Sequence, residues 1–113
     1  MSDALTIYNE GEKLKDEGKY QEAIAKFNEA IEADEGHVLS HLALAVEYGK
    51  VGKHEDAVRH GQRACELEST DAFNFTALSV TFQRAFAGTQ NHVYIQMAED
   101  AMAKAHSMQS GFC

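Results

Sequence analysis

Apolar residues recur along this chain at helical spacing, and the pattern itself comes round again. Between Tyr20 and Ala33 the apolar positions are Ala23, Ile24, Phe27, Ala30 and Ile31, which form one stripe along a helix. Upstream, a helical pattern runs from about Ala4 to Glu17 and breaks at Gly18-Lys19. Downstream, one helix is expected from Val38 to about Lys50 and another from His54 to about Leu67. Gly18 and Gly52 suit the intervening turns, because glycine accepts the left-handed backbone that ends a helix. Ser69-Thr70-Asp71 then offers cap chemistry, with Asp71 as the expected cap of a helix carrying Phe73, Phe75, Leu78 and Phe82. A last helix carries Tyr94, Ile95, Ala98, Ala101 and Met102. On the wet side, Glu22 and Lys26 are spaced to form an ion pair.

The second pair of helices copies the first. Gly18-Lys19-Tyr20-Gln21-Glu22-Ala23-Ile24 matches Gly52-Lys53-His54-Glu55-Asp56-Ala57-Val58 at an offset of 34. The register continues, aligning Leu14 with Tyr48, Ala30 with Ala64, Ile31 with Cys65 and Glu32 with Glu66. In the third unit Ala101-Met102 aligns with Ala64-Cys65 at an offset of 37. The turn from Ala87 to Asn91 is therefore expected to hold about three extra residues. The expectation is one domain over residues 1–113, with repeats at about 4–37, 38–71 and 72–108 and a tail at 109–113. Helices this short are marginal alone, so stability must come from stacking neighbours.

A repeat of this length and kind resembles the tetratricopeptide repeat family. The residues carrying the resemblance are Gly11, Leu14, Gly18, Tyr20, Ala23, Phe27 and Ala30 in the first unit. In the second they are Leu44, Ala45, Tyr48, Gly52, Ala57, Ala64 and Leu67, and in the third Leu78, Ser79 and Phe82. Ile7, His41 and Phe75 replace the usual tryptophan, Glu35 and Ser69 the usual proline, and Gly61 a bulky residue. The resemblance implies an all-α, right-handed α-solenoid of three helix–turn–helix repeats, six helices in all. It also implies a concave groove that binds a peptide or helix of a partner protein. That groove would be lined by Leu5, Tyr8 and Glu12, then by Leu39, Leu42, Val46 and Lys50, then by Phe73, Thr76, Val80 and Arg84. Some family members hold a terminal carboxylate there with Lys, Arg and Asn. The matching positions here are Tyr8, Glu12, Ala43, Phe73 and Ala77, so an apolar partner segment is expected instead.

The helix starting at Val38 supports a groove independently. Val38, Leu39, Leu42, Ala43, Leu44, Ala45, Val46 and Tyr48 are apolar almost all the way round, so burial on every side is expected. At the other end, Val93, Ile95 and Met102 would lack a following repeat. Through that edge, or through the groove itself, a homodimer is the structural alternative to an adaptor.

Composition narrows the chemistry. Formal net charge is −8, and residues 1–37 hold ten acids against four lysines. Such a chain repels phosphate, so neither nucleic acid nor a membrane surface is an expected partner. No run of about 20 apolar residues is present, and the start lacks a basic stretch leading into an apolar one, so the cytoplasm is expected. Cys65 and Cys113 make no disulfide framework. His37 and His41 are four apart, yet zinc wants three or four ligands and no further ligand converges on them. No phosphate-cradling glycine loop, nucleophile elbow or His-Glu-x-x-His pair occurs, so neither a metal, a cofactor nor catalysis is expected.

Overall fold

The computed structural model describes residues 3–110, which form six helices and, among the described residues, no strand. The helices are α1 (Ala4–Asp16), α2 (Tyr20–Ala33), α3 (Val38–Lys50), α4 (His54–Leu67), α5 (Ala72–Thr89) and α6 (Val93–Ser110). Local chemistry sets their ends. Asp3 caps α1 by accepting from the Thr6 N–H at 2.8 Å, and Asp71 caps α5 by accepting from the Phe73 N–H at 2.9 Å. Gly18 and Gly52 have φ of 80° and 83°. At each, the following lysine N–H reaches back to a carbonyl near the helix end, Lys19 to Leu14 at 2.9 Å and Lys53 to Tyr48 at 2.8 Å. The same left-handed helix stop is thus built twice, 34 residues apart.

The third pair departs from that plan. The extra residues lengthen the helices instead of the turn: α5 and α6 have 18 residues each, against 13 or 14 in the others. Only Gln90, Asn91 and His92 lie between them. Ala87, Gly88 and Thr89, expected in the turn, are helical. Gly88 has room for no side chain, because a Cβ there would run into the His54 ring of α4. The left-handed stop moves on to Gln90, whose φ is 62° and whose N–H bonds Phe86 O at 2.7 Å. Asn91 then opens α6 by accepting from the Val93 N–H at 3.1 Å, and α6 runs past Met108 to Ser110.

Each helix packs chiefly against the other member of its pair, and α2 against α3 and α4 against α5 join the pairs into a row. The row measures 44 × 35 × 20 Å. Ala23, Ala30 and Ala64 are fully buried and Ala57 nearly so, as close-packed helix backbones require. Fully buried Phe27 centres one core with Ala23, Ile24 and Leu44, and Leu78 and Phe82 centre another with Val58, Cys65 and Ala85. Lys26 pairs with Glu10 at 3.4 Å and Glu29 at 3.3 Å, so the expected partner Glu22 is passed over.

The contact between α3 and α4, inside the second pair, is unusually polar. His41, where the family has tryptophan, is buried and donates from Nε2 to the Glu35 carbonyl at 2.8 Å. A carbonyl only accepts, so in neutral His41 the Nδ1 is left as an acceptor, for the His60 Nδ1–H at 3.0 Å. His60 stacks on Tyr48 at 5.6 Å, and Arg63 grips the Glu35 carboxylate with two bonds of 2.7 Å. Burial, aided by His41 and Arg59 and opposed by Asp56, pushes the His60 imidazole down from 6.5 to about 4. The unfolded chain therefore takes up more protons than the folded one between those values. Stability from this contact between α3 and α4 is present above pH 6.5 and is lost as pH falls towards 4.

Candidate functional site

The first helix of each pair, α1, α3 and α5, lines a cleft made of two adjoining hollows that share Leu42, Val46 and Phe73. The first, about 290 Å³, lies between α1 and α3 and also takes in Tyr8, Glu12, Lys15, Leu39, Glu47 and Lys50. The second, about 300 Å³, lies between α3 and α5 and adds Thr76, Ala77, Val80 and Arg84, with Gly61 of α4. The structure thus brings Tyr8, Glu12, Leu39, Leu42, Val46, Lys50, Phe73, Thr76, Val80 and Arg84 together on one cleft. Leu5 is exposed on α1 but lines neither hollow.

The α3 helix departs from an ordinary amphipathic pattern. Ser40, His41 and Glu47 are buried beside Leu44 and Ala45, while Leu39 is 48 % exposed and Leu42 and Val46 are half-buried along the cleft. The buried polar groups are supported in part: Ser40 Oγ lies 2.7 Å from His37 Nδ1, and His41 has the partners described above. Opposite, Phe73 on α5 is 65 % exposed. The apolar residues gathered at the cleft are therefore ones the core leaves out. Around them, Thr76 and Thr81 turn their hydroxyls inward to Ala72 O and Ala77 O at 3.2 and 3.1 Å, and offer methyl groups to the surroundings. Burial and the nearby Glu12 raise the Tyr8 hydroxyl above its usual range, so it stays a neutral donor.

Four positions matched to the family's carboxylate-holding residues, Tyr8, Glu12, Ala43 and Phe73, do line the first hollow, and Ala77 lines the second. None carries a positive charge. Lys15 and Glu47, which sequence reasoning missed, also line the first hollow. The signal was there for Glu47, since Leu39, Ala43 and Glu47 form one row at four-residue spacing.

The remaining candidates lie elsewhere. Ile95 and Met102 line a separate hollow of about 520 Å³ between α5 and α6, together with Phe86 and Ala98. Val93, 59 % exposed, stands outside it. His37 and His41 diverge, His37 turning its ring edge to Tyr8 at 5.6 Å while His41 meets His60. No group of three or more His, Cys, Asp or Glu gathers to hold a metal among the described residues. The Cys65 thiol donates to Asn74 O at 3.3 Å, and burial pushes it up to about 11, so it behaves as a small core residue. Cys113 lies outside the described residues. No helix is long and apolar enough to cross a membrane among the described residues.

No family model and no curated protein matches the sequence. Solved structures do match. The second tetratricopeptide repeat domain of Spaghetti (RPAP3), bound to HSP90 peptide SRMEEVD, is 23% identical with a TM-score of 0.77, covering 95% of this chain and 93% of that one. The first such domain of Spaghetti (RPAP3), bound to the same peptide, is 18% identical with a TM-score of 0.66, covering 96% of this chain and 94% of that one. With six helices in three stacked pairs and a likeness that spans nearly its whole length, the chain has the tetratricopeptide repeat fold.

Proposed function

We propose that the chain is a protein–protein interaction module of the cytoplasm, whose cleft takes a helical or extended apolar segment of another polypeptide. The observation that carries this reading is that α3 buries Ser40, His41 and Glu47 yet leaves apolar Leu39, Leu42 and Val46 at the cleft. Exposed apolar patches rimmed by polar groups mark binding surfaces. Both similar structures hold a short peptide, which supports the same general use here. The matched clamp positions carry Glu12 and otherwise uncharged side chains instead of cations, and Lys15 and Lys50 of the same hollow are engaged by Glu12 and Glu47, which favours a ligand other than an acidic tail. Binding rather than catalysis fits a cleft with no nucleophile–base pair.

Leu39→Glu and Phe73→Glu test the assignment. Both side chains are largely exposed, so each change is expected to shift stability by less than about 0.5 kcal/mol. Each is expected to abolish retention of a partner that immobilised wild type holds, with helical content and melting unchanged. If both variants keep every partner, the cleft is not the docking site.

A second reading is self-assembly through the hollow at Ile95 and Met102, favoured by the exposed apolar side chains of Val93 and Ile95 beside it. It predicts a dimer at high micromolar concentration that Ile95→Glu converts to monomer. Mass measurement across concentration decides it, and a wild-type monomer rejects it.

A further inference from the structure

We propose that the cleft selects an apolar segment bearing one lysine or arginine, and that Glu47 receives that cation. The inference rests on the cleft being the docking site and names what sits in it. Glu47 lines the first hollow with its side chain 1 % exposed. Its Oε2 lies 3.5 Å from Lys50 Nζ, but its Oε1 is buried and has no hydrogen-bond partner. An orphaned acceptor of this kind is destabilising, and a charged one more so.

Among the described residues no hydrogen bond completes it, although Lys15 lies near enough to feel its charge. Lys15 is drawn to Glu12 at 3.1 Å and towards Asp16 at 3.9 Å. Lys50, at the rim, also leans over the Tyr20 ring, 5.1 Å from its centroid. The repeat does not need an acid at this position either. Thirty-four residues on stands Thr81, which satisfies itself through Ala77 O, and thirty-four residues back stands exposed Lys13. Glu47 is thus a buried carboxylate without a packing reason, in the wall of a hollow whose other charged members are Glu12, Lys15 and Lys50.

Two arguments favour a cation over a neutral donor. Charge-assisted bonds to a carboxylate are about twice as strong as neutral ones. The field points the same way, because the chain carries −8 and residues 1–37, which include the α1 wall, account for ten acids and four lysines. A lysine or arginine also has a long apolar stem that lies along Leu39 and Phe73 while its head reaches Glu47. Lys50, with 41 % of its side chain exposed, is the rim group that moves aside. This arrangement reverses a carboxylate clamp: the acid belongs to the domain and the cation to its ligand.

A random peptide display library, selected in parallel on wild type, Phe73→Glu and Glu47→Gln, tests the inference. Wild type is expected to enrich peptides with apolar positions and one Lys or Arg at constant spacing. In a synthetic peptide from that set, replacing the cation by norleucine is expected to weaken binding about tenfold or more on wild type. On Glu47→Gln the same replacement should change nothing. Should Glu47→Gln fold poorly, Glu47→Thr, which installs the residue found at the matching position of the third repeat, serves in its place. Enriched peptides without a fixed cation, an acidic consensus, or a norleucine effect that survives in the Glu47 variants overturns the inference while leaving the docking site standing. Peptides that bind Phe73→Glu as well as wild type, or no enrichment at all, remove the docking site and the inference with it.

Discussion

Phe27→Ala is expected to remove about 3–5 kcal/mol of folding stability, the largest loss of any single truncation in the first two repeats. Phe27 is fully buried and packs with Ala23, Ile24 and Leu44, while half-buried Tyr8, Leu14 and Tyr48 close over it. Tyr8 lies 5.6 Å away, ring to ring, so the same side chain that fills the core also supports the wall of the cleft. Small domains hold only about 5–15 kcal/mol in total, so this one change takes a large part of it. Urea denaturation near pH 7 is the measurement: the midpoint should drop while the slope stays the same. A loss under about 1 kcal/mol would mean that the surrounding side chains collapse into the space, and the core is not centred where we place it.

Gly11→Ala is the second large effect, and here two tendencies oppose each other. Alanine inside a helix is favoured over glycine by about 1 kcal/mol. At Gly11, however, the new Cβ would sit 2.6 Å from Phe27 Cε1 and 2.8 Å from Cδ1. That ring is rigid and fully buried, so it has nowhere to go. Overpacking should win, with a net loss of about 1–3 kcal/mol. Gly49 in α3 supplies the control, because the nearest atom to an added Cβ is Arg84 Cδ at 3.9 Å, and Gly49→Ala should be neutral or stabilising. The cause can be isolated by adding Phe27→Leu to Gly11→Ala. The double variant should lose less than the sum of the two single losses, by about 0.5 kcal/mol or more. Strict additivity would place the clash elsewhere.

The first four helices were legible almost to the residue, because the two Gly-Lys stops and the apolar stripes are local signals that tertiary packing did not override. The third pair was legible only in kind. Counting residues revealed an insertion, but the local pattern does not separate a longer turn from longer helices, and the close approach of Gly88 in α5 to the His54 ring joins residues far apart in the sequence. The cleft was read through the family likeness, and α3's apolar surplus pointed the same way. What stayed hidden was the direction each side chain takes. Burial all round was expected for α3, yet its inner side mixes Ser40, His41 and Glu47 with Leu44 and Ala45, and the partners of Ser40 and His41 are not displayed by a one-dimensional apolar pattern. Lys26 shows the same limit on a smaller scale, pairing with Glu29 of its own helix and Glu10 of another in place of the expected Glu22.

The polar and apolar contacts of the row divide by place, with the His41–His60 contact inside the second pair and Leu78, Phe82 and Cys65 where the second pair meets the third. In a linear array each repeat leans only on its neighbours. Acid that protonates His60 therefore acts within the second pair, whose helix α3 is the wall common to both hollows.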